Sequence, residues 1–192
     1  MDPETHEADV LAMRRLQGGD DLALNEIMAR WKQPLMSYLL RQIGSHEDAL
    51  DLTMETFVRI YENRQRYASS ARFARWLFTI ATNLVRNHVR WRQRHPEEPL
   101  ETGDDENTSL LDTVPHDAPS AAGQLDAKEQ ARAVQQAIAT LPTELRTAIL
   151  LFEYENLSHA EIAAIEGCSA KAVETRLYRA RQTLEKKLAH WM

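Results

Sequence analysis

Apolar residues recur every three to four positions in eight stretches of this chain, the period of helices that bury one face. Four stretches come first: about 8–17, 21–43, 46–63 and 72–94. Gly18-Gly19 ends the first, and Pro34 sits where it would kink the second. Ser45, with Asp48 three residues on, opens the third like a capping box, and the fourth stops before Pro96. Four more follow at about 125–140, 142–154, 158–166 and 170–189. Pro142 falls where a first-turn proline is tolerated, Ser158 with Glu161 makes a second capping box, and Gly167-Cys168-Ser169 forms a short break with Ser169 as the next cap.

Residues 95–123 interrupt this pattern with four prolines, two glycines and dense acids, the make-up of a linker without a stable fold. Leu110, Leu111 and Val114 form a small apolar island in it, equally readable as a docking element or as chance. The expected architecture is all-α: two small helical domains, 1–94 and 124–192, joined by an acidic linker, 95–123.

The 43% hydrophobic content supplies a core. A single cysteine, Cys168, rules out an intrachain disulfide, speaks against a cysteine-based zinc site and fits a reducing cytosol. In the turn it reads as a small buried residue. Met1–Glu7 is acidic and lacks the apolar stretch of a signal peptide, and no run approaches the roughly 18–20 apolar residues of a membrane helix. The expectation is a cytoplasmic protein without membrane insertion.

The net charge of −6 argues at first against nucleic acid, but its distribution reverses that reading. Residues 72–94 carry six arginines and no acid, residues 97–126 nine acids and no lysine or arginine, and residues 170–187 six basic residues and two acids. Two basic helices separated by an acidic strap make an organised pattern.

The last two helices, separated by a three-residue break, have helix-turn-helix spacing. On the final helix Val173, Leu177, Ala180, Leu184 and Leu188 form an apolar stripe, opposite Lys171, Glu174, Thr175, Tyr178, Arg179, Gln182 and Lys186. Arg176 and Arg181 flank the stripe, within reach of phosphates. An ordinary solvated helix face is the competing reading; the turn, both caps and the cations favour DNA.

On helix 72–94, Phe73, Leu77, Ile80 and Leu84 form an apolar side, and Arg75, Thr79, Thr82, Asn83, Arg86 and Arg90 line up along another, with Arg72 on the same polar side. Cations in register with Asn and Thr suit a phosphate track. Trp76 and Trp91 suit base stacking, although Trp76 reads equally as a core anchor. On helix 46–63, Leu50, Met54, Phe57 and Tyr61 share a face expected to be core. Asp48, Asp51, Glu55 and Glu62 share the other with Arg59, and Leu52 projects into it as an apolar anchor with a charged rim. On this assignment Leu52→Asp spares the fold and abolishes partner binding; a stray surface leucine remains open. The same carboxylates could gather a cation, but no histidine ligand pattern, phosphate loop or nucleophile accompanies them. No enzyme activity and no cofactor are expected.

Three segments together resemble the extracytoplasmic-function (ECF) sigma factors of bacterial RNA polymerase. The run Asp48-Ala49-Leu50-Asp51-Leu52-Thr53-Met54-Glu55-Thr56-Phe57 resembles their region 2.2. Phe73-Ala74-Arg75-Trp76-Leu77, with Ile80-Ala81 and Asn83, resembles regions 2.3 and 2.4. Leu141-Pro142, Leu157-Ser158, Glu161-Ile162-Ala163 and the run from Val173 to Arg181 resemble region 4. The likeness spans about 8–94 and 125–189.

The resemblance implies core RNA polymerase and promoter DNA as partners. Asp48, Asp51, Leu52 and Glu55 would grip the β′ clamp helices, and region 4 would meet the β flap. Arg75, Trp76, Thr79, Asn83, Arg86 and Arg90, with the loop at about 65–72, would open and read the minus-ten element, where the family captures a flipped base. Lys171, Thr175, Arg176 and Arg179 would read the minus-thirty-five element in the major groove. The strap would thread toward the active-site cleft and RNA exit path, and an anti-sigma factor would occlude the binding faces. Leu50 and Met54 stand where the family usually has polar residues, Asn87 where an aspartate is common and Glu174 where a lysine often aligns. A sigma mimic that titrates an anti-sigma factor would not need the two basic helices. A free-standing helix-turn-helix regulator leaves the acidic face unexplained.

Overall fold

The computed structural model describes residues 3–95 and 121–189, all helix and connecting turns. The apolar island at Leu110, Leu111 and Val114, and nearly all of the acidic strap, lie outside these residues. The helices are α1 Pro3–Gln17, α2 Ala23–Ile43, α3 His46–Glu62, α4 Phe73–Arg94, α5 Ala121–Ala139, α6 Thr143–Glu153, α7 His159–Glu166 and α8 Ala170–Leu188, with a 3-10 turn at Arg64–Arg66. The period-3.6 pattern located every one. α1 and α5 each start several residues earlier than the pattern suggests, because their first turns, Pro3 to His6 and Ala121 to Gln124, hold no large apolar residue to mark a stripe.

The expected caps form. The Ser45 hydroxyl accepts from the Asp48 backbone N–H, Ser158 and Glu161 close a reciprocal capping box, and Ser169 accepts from Ala172. Gly167 ends α7 at φ 68°, a left-handed conformation that costs glycine nothing, and so turns the chain into α8 within three residues.

In the N-terminal half, α1, α2 and α4 bury Met13, Leu16, Ile27, Trp31, Leu35, Tyr38, Phe73, Leu77 and Phe78. The rings of Trp31, Tyr38, Phe73 and Phe78 meet edge-on or tilted at 5.1–6.1 Å. Buried Asp9 ties α1 to α2, pairing with Arg30 at 2.8 Å and accepting from the Trp31 indole at 3.1 Å. In the C-terminal half, α6, α7 and α8 enclose Leu141, Ala148, Leu150, Leu151, Leu157, Ile162, Val173, Leu177 and Ala180.

The halves touch along α2 and α4 on one side and α6 and α7 on the other. The Gln42 side chain donates to the Thr147 hydroxyl at 3.0 Å, Arg146 donates to the Gln42 carbonyl at 2.5 Å, and the Arg41 guanidinium lies 4.1 Å above the Tyr154 ring. Beside Tyr154, Glu155 is buried at 6% exposure, and burial pushes its carboxyl up to about 7, opposed by the charge of Arg41. Its folded pKa lies above the unfolded value of 4.5, so the folded state holds the proton more tightly. That stability is complete below the unfolded pKa and lost as pH rises through the folded one, a swing of roughly 3 kcal/mol. Glu155→Gln is expected to remove this dependence and to raise the melting temperature at pH 8, with little change at pH 4.5. Thermal melts of both forms across that range check it.

Candidate polymerase- and DNA-binding surfaces

α4 is two-sided. Phe73, Ala74, Leu77, Phe78, Ala81, Leu84 and Val85 are buried, while Arg75, Thr79, Asn83, Arg86 and Arg90 follow one another along a single outer face. The expected track is therefore brought together, with two amendments. Thr82 is buried rather than on the track, its hydroxyl hydrogen-bonded to Tyr38 at 2.8 Å. Trp76 is half-buried, 5.3 Å from the Tyr67 ring and 6.1 Å from Phe73, so much of its ring is committed to the bundle. Trp91, at 50% exposure, remains open and stacks on His95.

Local bonds fix the track. The Thr79 hydroxyl donates to the Arg75 carbonyl, Arg86 donates to the Asn83 side-chain oxygen at 3.3 Å, and Arg90 donates to that of Asn87 at 2.7 Å. The loop before α4 is held as well. The Gln17 side chain donates to the Arg64 and Tyr67 carbonyls, and the Tyr67 hydroxyl to that of Ala71.

On α8, Lys171, Thr175, Tyr178 and Arg179 are exposed on one face. Glu174 shares that face and pairs with Lys171 at 2.8 Å, and this bond holds its carboxyl below the usual range. Arg176 does not reach outward as expected, whereas Arg181 stays exposed at 56% while pairing with an acid of α6. Arg176 turns inward to Glu166 at 2.5 Å and Glu144 at 2.9 Å, and Arg181 takes Glu153 at 2.8 Å. The angular projection set Arg176 beside the apolar stripe, but could not show that a buried carboxylate waits there. The Glu166 side chain is only 1% exposed; burial pushes its carboxyl up, opposed by Arg176 and Arg86.

α3 corrects the face assignment. Leu52 is buried at 8% exposure, whereas Leu50, Met54 and Val58 are exposed at 41%, 46% and 52%. The buried stripe is Ala49, Leu52, Thr53, Thr56, Phe57 and Ile60, rotated by about one residue from the expected one. Two threonines cause the error. Thr53 and Thr56 donate their hydroxyls to the carbonyls of Ala49 and Leu52, both at 2.7 Å, which satisfies the polar atom and leaves a methyl for the core. The outer face thus carries Leu50, Met54 and Val58 among Asp51 and Glu55, with Glu55 paired to Arg59. Asp48 lies at the edge toward α4, 3.7 Å from His88. An apolar anchor with a charged rim is present, built from Leu50 and Met54, which the pattern had placed inside, together with Val58. The signal was in the sequence: an aliphatic residue at Leu50 and Met54, where the resembled family is usually polar, is what an exposed docking position would show.

These surfaces coincide with matches to known proteins. Residues 27–95 match the family Sigma-70 region 2, and residues 131–184 match Sigma-70, region 4. The "RNA polymerase sigma-H factor" of Pseudomonas aeruginosa is 30% identical over 184 residues, 96% of this chain and 95% of the relative. The "ECF RNA polymerase sigma-E factor" of Haemophilus influenzae is 32% identical over 180 residues, 94% of this chain and 95% of the relative. This chain belongs to the ECF family of RNA polymerase sigma factors. The sigma factor is a transcription factor and not an enzyme. Its fold is similar to that of CnrH solved in complex with the cytosolic domain of CnrY, with a TM-score of 0.68, 27% identity and coverage of 95% of this chain and 98% of that one. The fold also resembles the sigma factor RpoE of Bartonella quintana, co-crystallised with the anti-sigma factor NepR, with a TM-score of 0.66, 22% identity and coverage of 86% of this chain and 96% of that one. In the sigma factor α2, α3 and α4 fall largely in the region 2 match, and much of α5, α6, α7 and most of α8 in the region 4 match. Among the described residues no helix is long and apolar enough to cross a membrane.

Proposed function

We propose that three surfaces divide the work of promoter-directed initiation in the cytoplasm. The observation that carries this is the separation of charge: arginines gathered on the outer face of α4, cations on the outer face of α8, and an apolar row rimmed by carboxylates on α3. The α3 face, with Leu50, Asp51, Met54, Glu55 and Val58 and with Asp48 at its edge, docks on the clamp helices of core polymerase. Arg75, Thr79, Asn83, Arg86 and Arg90, beside Trp76, read and open the minus-ten element. Lys171, Thr175 and Arg179, joined by Tyr178, read the minus-thirty-five element in the major groove, and Glu174 draws Lys171 away from phosphate. The working units are 1–94 and 124–192, with 95–123 as the strap between them. The likeness of its fold to the sigma factor RpoE co-crystallised with the anti-sigma factor NepR, and to CnrH solved with the cytosolic domain of CnrY, supports an anti-sigma partner that covers these faces.

Run-off transcription with core polymerase on a library of promoter fragments tests the reading. A transcript that depends on this protein is expected, and its absence refutes the assignment. Arg179→Ala is expected to leave stability unchanged and to weaken upstream-element binding by about 1–3 kcal/mol, measured by promoter occupancy. Unchanged occupancy removes Arg179 from the contact set.

A further inference from the structure

A cavity of about 360 Å³ opens between Gln42 and Ile43 at the end of α2, His88 and Arg92 on α4, and Thr143 and Arg146 in the first turn of α6. Its size falls at the lower end of the range for small-molecule sites. Neither His88 nor Arg92 belongs to the row of α4 that runs from Arg75 to Arg90. Three of the lining residues hold a buried side-chain atom without a hydrogen-bond partner: Gln42 Oε1, His88 Nε2 and Arg146 Nε. Gln42 is 2% exposed, and its amide nitrogen is spent on the Thr147 hydroxyl. Unpartnered polar atoms cost stability, and three around one cavity call for a ligand that completes them. Arg146 points to the sign of its charge. The guanidinium donates to the carbonyls of Gln42, Ala139 and Leu141, and among the described residues it meets no carboxylate. Burial pulls its pKa below the ordinary value, as expected of a cation without a counter-charge. α6 adds backbone donors, because no side chain caps its first turn. No acid lines the cavity: Asp48 stands 3.7 Å from His88 Nε2 and 4.0 Å from Arg92 Nη1 but is not part of the wall.

We propose that this cavity binds the phosphate of a small ligand, either free phosphate or a phosphorylated metabolite, with Arg146, Arg92 and the first turn of α6 donating to its oxygens and Gln42 Oε1 accepting a hydroxyl of the same ligand. Guanidinium groups and a helix start are the donors that phosphate oxygens take best. The carboxamide oxygen of Gln42 sets a second condition, since it repels a bare anion and needs an O–H donor. Inorganic phosphate keeps a proton at neutral pH and supplies that donor; sulfate does not. His88 serves either role through its choice of tautomer. The site stands apart from the surfaces assigned to DNA and polymerase and does not depend on those assignments.

The test is calorimetric titration of the full chain at neutral pH in about 0.1 M sodium chloride, where exposed charges are largely screened. Inorganic phosphate is expected to bind at one site per chain with a dissociation constant below about 1 mM, and sulfate at least about tenfold more weakly. Glucose 6-phosphate and adenosine monophosphate form the second arm. Either should displace inorganic phosphate; tighter binding than phosphate assigns the site to a phosphorylated metabolite, weaker binding to free phosphate. In nitrogen-15 NMR the Arg146 Nε–H and the Thr143 amide should shift along the same saturation curve. Arg92→Gln, at a half-exposed position, should lose at least about fivefold in affinity with unfolding unchanged, and Arg146→Gln should abolish binding. Gln42→Met should narrow the gap between phosphate and sulfate, which a purely structural role for Gln42 would not do. If Arg146→Gln fails to fold, Arg92→Gln and Gln42→Met decide the matter. No saturable heat up to about 20 mM phosphate overturns the site, since a dissociation constant below about 1 mM would be saturated there. Sulfate bound as tightly as phosphate, affinity untouched by Arg92→Gln, or binding confined to the diester of cyclic AMP or duplex DNA overturns it as well.

Discussion

Leu52→Asp is expected to destabilise the N-terminal half by about 2–4 kcal/mol, combining the lost burial of a leucine with the desolvation of an unpaired carboxylate. Leu52 faces inward beside Leu84 at the floor of the groove between α3 and α4, and is nearly enclosed. In a unit of this size that loss lowers the melting temperature by about 10–20 °C. Met54→Asp, on the outer face of the same helix at 46% exposure, should stay within about 0.5 kcal/mol of the parent and yet weaken polymerase binding by at least about tenfold. Urea unfolding followed by circular dichroism, paired with capture on immobilised core polymerase, reads both quantities for both variants. A stable Leu52→Asp protein would show that the leucine is not part of the core. A Met54→Asp protein that still binds polymerase would remove the apolar row of α3 from the docking surface.

Arg176→Ala is expected to act on the fold of the C-terminal half and not mainly on DNA. The Glu166 carboxylate, 1% exposed, would lose its 2.5 Å partner and keep only Arg86 at 3.9 Å. Removing one side of a buried pair strands the other charge, at a cost of about 3–5 kcal/mol. The deficit should shrink at low pH, because burial already raises the Glu166 carboxyl and the missing arginine raises it further, until it takes a proton and is buried neutral. Denaturant unfolding of the parent and the variant at pH 5 and pH 8 checks the difference. A deficit that is equal at both pH values, or absent, would show that Glu166 is not held in its buried site by Arg176.

Helix positions were legible because each helix carries a long apolar stripe and several carry local stop and start chemistry: Ser45, Ser158 and Ser169 as caps, Gly167 at the break. The outer faces of α4 and α8 were legible for the same reason, since charge alternates cleanly with apolar residues there. α3 was not. Its two candidate stripes, one through Leu50 and Met54 and one through Ala49, Leu52 and Ile60, differ by one residue of rotation. The choice depended on Thr53 and Thr56, whose polarity hides how well a back-bonded threonine packs. The place of Arg176 was illegible for another reason. Its partners Glu144 and Glu166 lie 32 and 10 residues away, and only the folded arrangement of α6, α7 and α8 brings them to it. The same holds for Arg72 with Glu161, 89 residues apart.

That last separation carries a consequence for the newborn chain. The contacts within α1–α4 are complete once residue 95 has left the ribosome, whereas the residues that cover Arg72 and Arg86 are not made until Glu166. At about 5–20 residues per second, the intervening stretch takes about 4–14 s to synthesise. For that interval every nascent copy presents Arg72 and Arg86 without the acids of α7 that pair with them in the finished protein.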